Sequence, residues 1–368
     1  MTGPHIVDGT RTSVTAFVGH TVSGTANAPT PIKSLAEFAH VFGGPSAKSP
    51  ISYAIRDFFL NGGTDALVVR VAARSTAATM IGNIKSKIGL YALEKADSFN
   101  LLVMPEIDGL INRQAEAIAY CASRRAFMII DAPDALTVAA VQTWMTTDAV
   151  PLQSTSAAIY FPRLQQADAL KPNAVRNFPA AGAIAGLYAR TDSKQGVWKA
   201  PAGTSANIVG TQSLSVAVND HDNGTLNSLG LNCLRTFPVQ GVVCWGARTA
   251  RGADALNDEY KYVPVRRLSL YIEDSIYRGT QWALFEPNAE PLWAKIRLSV
   301  GAFMNALFRQ GALQGVRDSE AYFVKCDRST MTQNDLDNGR LIIEIGVAPV
   351  RPAEFVIIRI QHHYKPDD

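Results

Sequence analysis

The apolar positions of this chain change period repeatedly, from two to about 3.6 and back. Residues 12–19, TSVTAFVG, alternate and predict a strand. Residues 34–44, SLAEFAHVFGG, predict a helix with Ser34 as N-cap and Gly43 and Gly44 as its stop. Glu37, three residues after Ser34, completes a capping box. SPISYAIRDFFLNGG repeats that grammar: Ser49 is the N-cap, Pro50 the first helical residue, and Ile51, Ile55, Phe58 and Phe59 the buried stripe. ALVVRV, residues 66–71, then reads as a strand. In the middle of the chain FNLLVMPEI, AFMIIDAP and SAAIYFPRL predict strands. NRQAEAIAYCAS, DALTVAAVQTWM and PAAGAIAGLYAR predict the helices that follow them. Strands alternating with helices imply an α/β fold with a mostly parallel sheet covered on both faces and right-handed crossovers.

From about Gly230 the pattern changes. LNCLRTFPVQGVVCWGARTA reads as short strands with turns, and a helix lies around residues 266–277. A second helix spans residues 291–310, with Leu292, Ile296, Val300, Phe303 and Leu307 on one face and Lys295, Asn305 and Arg309 on the other. AYFVKCD, RLIIEIGVAPV and PAEFVIIRI are strands. The reading is multi-domain: a short arm with the first strand (1–20), a small α/β domain (21–90), a parallel α/β domain (91–230), a C-terminal α+β domain (231–352) and a C-terminal arm (353–368). Phe355, Val356, Ile357, Ile358, Arg359 and Ile360 form an apolar run near the end, where chains are usually polar. That strand belongs either to the chain's own sheet or to another copy.

Composition narrows the function classes. A chain of 368 residues with 47% hydrophobic and 18% charged residues is globular and long enough for several domains. A net charge of +3 without a Lys/Arg block argues against nucleic acid. No apolar stretch reaches membrane-spanning length, and MTGPHIVDGTRTS lacks signal-peptide character, so the chain reads as cytoplasmic where it is made. Cys121, Cys233, Cys244 and Cys326 are scattered in apolar or mixed segments, which suits reduced core thiols.

Catalytic and ligand motifs find little support. Asp131 follows a strand where a catalytic carboxylate could sit, but it also suits a turn before Pro133. None of the six histidines belongs to a nucleophile elbow or an H-E-x-x-H site. FGGPSAKSP is no phosphate loop, because Ala47 precedes Lys48 where Gly is needed. NDHDNG, residues 219–224, has Asp220 and Asp222 but not calcium-loop spacing, and reads as a polar turn. His362 and His363 would point to opposite faces of a strand and cannot chelate together. No cofactor, metal or catalytic residue is expected.

Several segments together resemble the sheath proteins of contractile phage tails and contractile injection systems. They include TSVTAFVGHTVSGTANAPTPIKSLAEFAHVFGG, SPISYAIRDFFLNGGTDALVVRV, AGLYARTDSKQGVWKAPAG, LRTFPVQGVVCWGARTA, YKYVPVRRLSLYIEDSI, GTQWALFEPNAEPLWAKIRLSVGAFMNALFRQGAL and STMTQNDLDNGRLIIEIGVAPVRPAEFVIIRIQ. In this order they cover about residues 12–363. The resemblance implies a non-catalytic middle domain of subtilisin-like topology and a C-terminal domain lining a helical sheath. It implies six-fold rings stacked around an inner tube, with terminal arms exchanging strands between subunits. Partners would be further copies of the chain, the tube protein, and baseplate and terminator or cap proteins, with no nucleic acid and no membrane insertion. The particle would assemble in the cytoplasm of the producing bacterium. Residues 355–360 become the exchanged strand, and Lys295, Arg297 and Arg309 the candidates to face the tube. Family members usually begin with an arm containing something like PGVYVEEV, which is absent here, so the N-terminal half of the exchange is not implied. A terminator or baseplate-proximal ring of the same particle, and more distantly an α/β hydrolase-like enzyme, are the alternatives.

Overall fold

The computed structural model describes residues 5–72 and 76–354. Its strands in chain order are β1 (Thr15–His20), β2 (Thr30–Ile32), β3 (Ala66–Val71), β4 (Leu101–Val103), β5 (Phe127–Asp131) and β6 (Ala157–Phe161). They continue with β7 (Leu164–Asp168), β8 (Lys171–Phe178), β9 (Ser213–Leu214), β10 (Leu231–Phe237), β11 (Gly241–Cys244), β12 (Tyr322–Lys325) and β13 (Glu344–Val347). The helices are α1 (Leu35–Phe42), α2 (Pro50–Leu60), α3 (Ala77–Ile81), α4 (Ile111–Ser123), α5 (Val138–Thr146) and α6 (Ala181–Gln195). After them come α7 (Asp220–Ser228), α8 (Val263–Gly279), α9 (Glu290–Arg309), α10 (Asp318–Ala321) and α11 (Gln333–Asp337).

Eight strands make one sheet in the order β11-β10-β6-β5-β4-β1-β3-β2. The six inner strands are mutually parallel, and β2 and β11 add antiparallel edges. The sheet joins strands from both sides of residues 20, 90 and 230, where the sequence pattern divides the chain. In particular β10, which follows the change of pattern at Gly230, pairs parallel with β6. Parallel pairing is long-range and leaves no mark on local periodicity.

Alternation along the strands feeds two cores. Ala16, Val18, Met128, Ile130, Ala157 and Ile159 face α4, α5 and α7 on one side. Phe17, Phe127, Ile129, Ala158 and Tyr160 face α1, α2 and α6 on the other. A strand buried on both faces needs apolar residues at every position, which explains the unbroken runs. A third core joins α8, α9 and the β12–β13 ribbon, and the stripe of Leu292, Ile296, Val300, Phe303 and Leu307 is buried there as the spacing predicts. All four cysteines are buried free thiols.

The N-terminal helix signals are met with two changes. The Ser34 side chain accepts from the Glu37 amide at 3.1 Å, but Glu37 returns its bond to Lys33, one residue before the cap. Ser49 occupies the N-cap position of α2, yet its hydroxyl donates to the His20 carbonyl at the end of β1. Residues 219–224 are neither a cation loop nor a turn. Asn219 caps α7 in a reciprocal box with Asp222, which explains the acidic residues. The hairpin β7–β8, which the sequence pattern does not indicate, forms a small separate sheet with β9.

Helices α2 and α6 pack closely because Gly182 and Gly186 face the α2 backbone. A Cβ at Gly182 would stand 2.2 Å from the Ala54 carbonyl oxygen, and one at Gly186 2.3 Å from that of Phe58. Gly182→Ala should therefore destabilise the chain by about 1–3 kcal/mol through forced separation of the helices. Urea unfolding checks this, and a loss below about 0.5 kcal/mol would show that the helices part freely.

Candidate functional site

The place where an α/β sheet usually binds a ligand is the crevice beyond the carboxyl ends of its strands, at the point where connections change direction. Here that point lies between β1 and β4. Helix N-termini present unpaired N–H groups to such a crevice and attract anions. In this chain its own carboxylates take them. Asp131, at the end of β5, is neither a general base nor the start of a turn. It accepts from the Ala180 and Ala181 amides at 2.6 and 3.0 Å and so caps α6. Glu106, after β4, accepts from the His20 amide at 3.0 Å, while its other carboxylate oxygen is buried without a hydrogen-bond partner.

Arg163 completes the arrangement, 3.1 Å from Asp108 and donating twice to the Ala132 carbonyl. Burial raises the pKa of both Asp108 and Asp131, against the opposing pull of Arg163. Burial likewise pushes Glu106 to about 7, with backbone hydrogen bonds opposing it. No histidine or nucleophile contacts this cluster among the hydrogen bonds of the described residues other than the His20 backbone, so its chemistry is capping.

The residues expected to face a tube lie on α9, and the structure separates them. Lys295 and Arg309 are fourteen residues apart, within about 40° of four whole turns, and both are exposed on one face with Leu298. Lys295 also borders an apolar groove of about 450 Å³ between α9 and residues 5–9. Arg297 points elsewhere: it donates to Glu290 and to the Cys326 carbonyl at the end of β12. It ties the helix to the ribbon within the subunit.

The ribbon itself holds only β12 and β13, paired antiparallel from Tyr322↔Val347 to Lys325↔Glu344. Packing on α9 holds these two strands, and among the described residues no third strand joins them. Residues 355–360, the expected exchanged strand, lie outside the described residues. The chain reaches them from Glu354, which pairs with buried Arg248 at 2.7 Å. Sequence reasoning passed over Arg248, because ARTA after a short strand carries no signal. It also passed over Arg267, though Val263, Arg267 and Leu270 share the i, i+4, i+7 spacing of one buried stripe.

Glu106 gives a pH signature. Its folded-state pKa stands above the ordinary carboxyl value, so its contribution to stability is complete below about pH 4.5 and is lost as pH rises through about 7. Glu106→Gln does not titrate. Its stability relative to the native chain should rise by about 1–3 kcal/mol between pH 5 and pH 8, read from urea midpoints. A constant difference would mean that Glu106 ionises as an exposed carboxylate does.

Comparison with known proteins gives these features a family. Residues 75–250 match the phage tail sheath protein central domain, and residues 256–363 match the phage tail sheath C-terminal domain. A prophage major tail sheath protein of Pseudomonas aeruginosa (strain UCBPP-PA14) is 28% identical over 362 residues, covering 93% of this chain and 88% of that protein. The tail sheath protein of Vibrio phage KVP40 is 28% identical over 181 residues, 49% of this chain. That alignment spans only 26% of the phage protein, so the chain matches about a quarter of its length. The sheath complex of an extracellular contractile injection system, PVC, in its contracted state superposes with a TM-score of 0.81 at 28% identity, covering 97% of this chain and 93% of that one. The chain belongs to the phage tail sheath family, whose matched members are structural proteins and not enzymes.

Proposed function

We propose that this chain is a structural subunit of a contractile sheath, in a phage tail or a headless injection device. Likeness to a contracted sheath over nearly the whole chain carries the reading. The subunits stack as six-fold rings around an inner tube, starting at a baseplate and ending at a terminator or cap. The middle domain has a subtilisin-like topology without its chemistry. Contraction repacks the subunits into a wider, shorter lattice, and the difference in packing free energy drives the tube into a target envelope.

The under-sized β12–β13 ribbon supports strand exchange: Phe355, Val356, Ile357, Ile358, Arg359 and Ile360 of one copy add to the ribbon of another. Each added main-chain hydrogen bond contributes about 1 kcal/mol, a link strong in series yet able to hinge. Lys295 and Arg309, on the exposed face of α9, meet acidic tube residues through screened contacts. Arg297, engaged within the subunit, takes no part in this contact.

Negative-stain electron microscopy tests the assembly. The full chain should form tubes or stacked rings, and a chain ending at Glu354 should remain dispersed. Monomers from the full chain would sink the sheath reading, and single rings would favour a terminator or baseplate-proximal role. For the tube contact, Lys295→Glu combined with Arg309→Glu should weaken co-sedimentation with the tube protein about tenfold at low salt, the difference shrinking as salt rises. Unchanged co-sedimentation would remove this face of α9 from the contact.

A further inference from the structure

The last described residue of the chain is held in a built site. Arg248 is 1% exposed, and its guanidinium makes five hydrogen bonds. Nη1 donates to the carbonyls of Asn227 and Gly252 and to Asp254. Nε and Nη2 donate in parallel to the two carboxylate oxygens of Glu354, at 2.8 and 2.7 Å. Tyr262, which precedes α8, donates its hydroxyl to the same carboxylate at 3.1 Å. Burial would raise the Glu354 pKa, but hydrogen bonds and charge from Arg248 hold it below the ordinary glutamate value. A bidentate arginine–carboxylate pair fixes direction as well as distance.

The partners lie in different parts of the subunit. Arg248 follows β11 at the edge of the large sheet and is pinned there by Asn232, which bonds both its amide and its carbonyl. Just before Glu354 the chain runs along the other body. Ala348 donates to the Ala321 carbonyl at 2.8 Å, and Val350 to the Ala312 carbonyl at 3.2 Å. Residues 351–354 therefore form a strap, reaching at most about 14 Å, tied to the C-terminal body at one end and to the α/β body at the other.

We propose that Arg248 and Glu354 are positioning residues that fix where the C-terminal arm leaves the subunit. They anchor it to the α/β body and not to the ribbon that its own subunit offers to others. This rests on the sheath reading. Load carried by an exchanged arm then passes into the large sheet through the buried pair, while the two-stranded ribbon bears only the load of the arm it receives. The pair needs both charges, because a neutral amide at residue 354 keeps the shape but loses the charge-assisted bonds.

Glu354→Gln in the full chain tests this. Arg248 also holds Asp254 and two carbonyls, so its replacement would confound the fold, and the test rests on Glu354. Hydrogen exchange at Val350, the amide of residues 350–354 that donates to a backbone carbonyl, should accelerate by about ten- to a hundredfold in the dispersed subunit, with the large sheet and the melting temperature unchanged. Tubes should still form, because the arm's strand is intact, but should come apart at lower urea than native tubes. Glu354→Asp should recover part of both properties. Unaltered exchange at Val350 together with tubes as robust as the native ones would overturn the proposal, as would faster exchange spread over the whole sheet. If the native chain forms no tubes, the sheath reading fails, and exchange at Val350 alone decides whether the pair holds the strap.

Discussion

Helix α8 belongs to two cores at once, and the relation between the two bodies of the subunit depends on it. Val263 and Leu270 pack against the large sheet, while Leu268, Ile272 and Ile276 pack with α9. On the stripe of Val263 and Leu270 lies Arg267, 4% exposed. It donates to both carboxylate oxygens of Asp192 near the end of α6, at 2.9 and 2.6 Å, and to the Thr12 carbonyl at 2.9 Å. Its guanidinium also lies 4.7 Å from the centre of the Tyr188 ring. A buried charge deprived of its partner costs about 3–5 kcal/mol, so this pair specifies one seating of α8 on α6. The two bodies are joined by a shared helix and a shared ion pair, not by a linker. The N-terminal segment is threaded into the same seam through Thr12, whose hydroxyl also donates to Asp192 at 2.7 Å.

The same economy of charge explains why an enzyme-like sheet shows no enzyme-like site among the described residues. Helices that cover a parallel sheet must aim their N-termini at its carboxyl edge, because each follows a strand and runs back antiparallel to it. The partial positive charge gathered there needs an anion. In a catalytic relative of this architecture a ligand supplies it. Here the side chain of Asp131 caps the first turn of α6, with Arg163 balancing Asp108 and Asp131. Gly19 belongs to this arrangement, since a Cβ there would lie 2.4 Å from a Glu106 carboxylate oxygen.

Local order was written plainly in the sequence. The cap at Ser34, the stripe of α9, the buried runs of β5 and β6 and the alternation of strand and helix each depend on residues within a few positions of one another, so periodicity and capping chemistry suffice to find them. The family resemblance was legible too, because it rests on many such segments in order. What tertiary structure alone decided is which distant segments meet. It placed β1 between β3 and β4 and brought β10 beside β6. It turned Asp131 from a turn residue into a helix cap, tied Arg297 to Glu290 and the Cys326 carbonyl while Lys295 and Arg309 stayed exposed, and set Arg248 against Glu354 across 106 positions of chain. A charged side chain carries no periodic sign of its partner. Its role is fixed by burial and by what the fold sets beside it, and those are properties of the packed molecule.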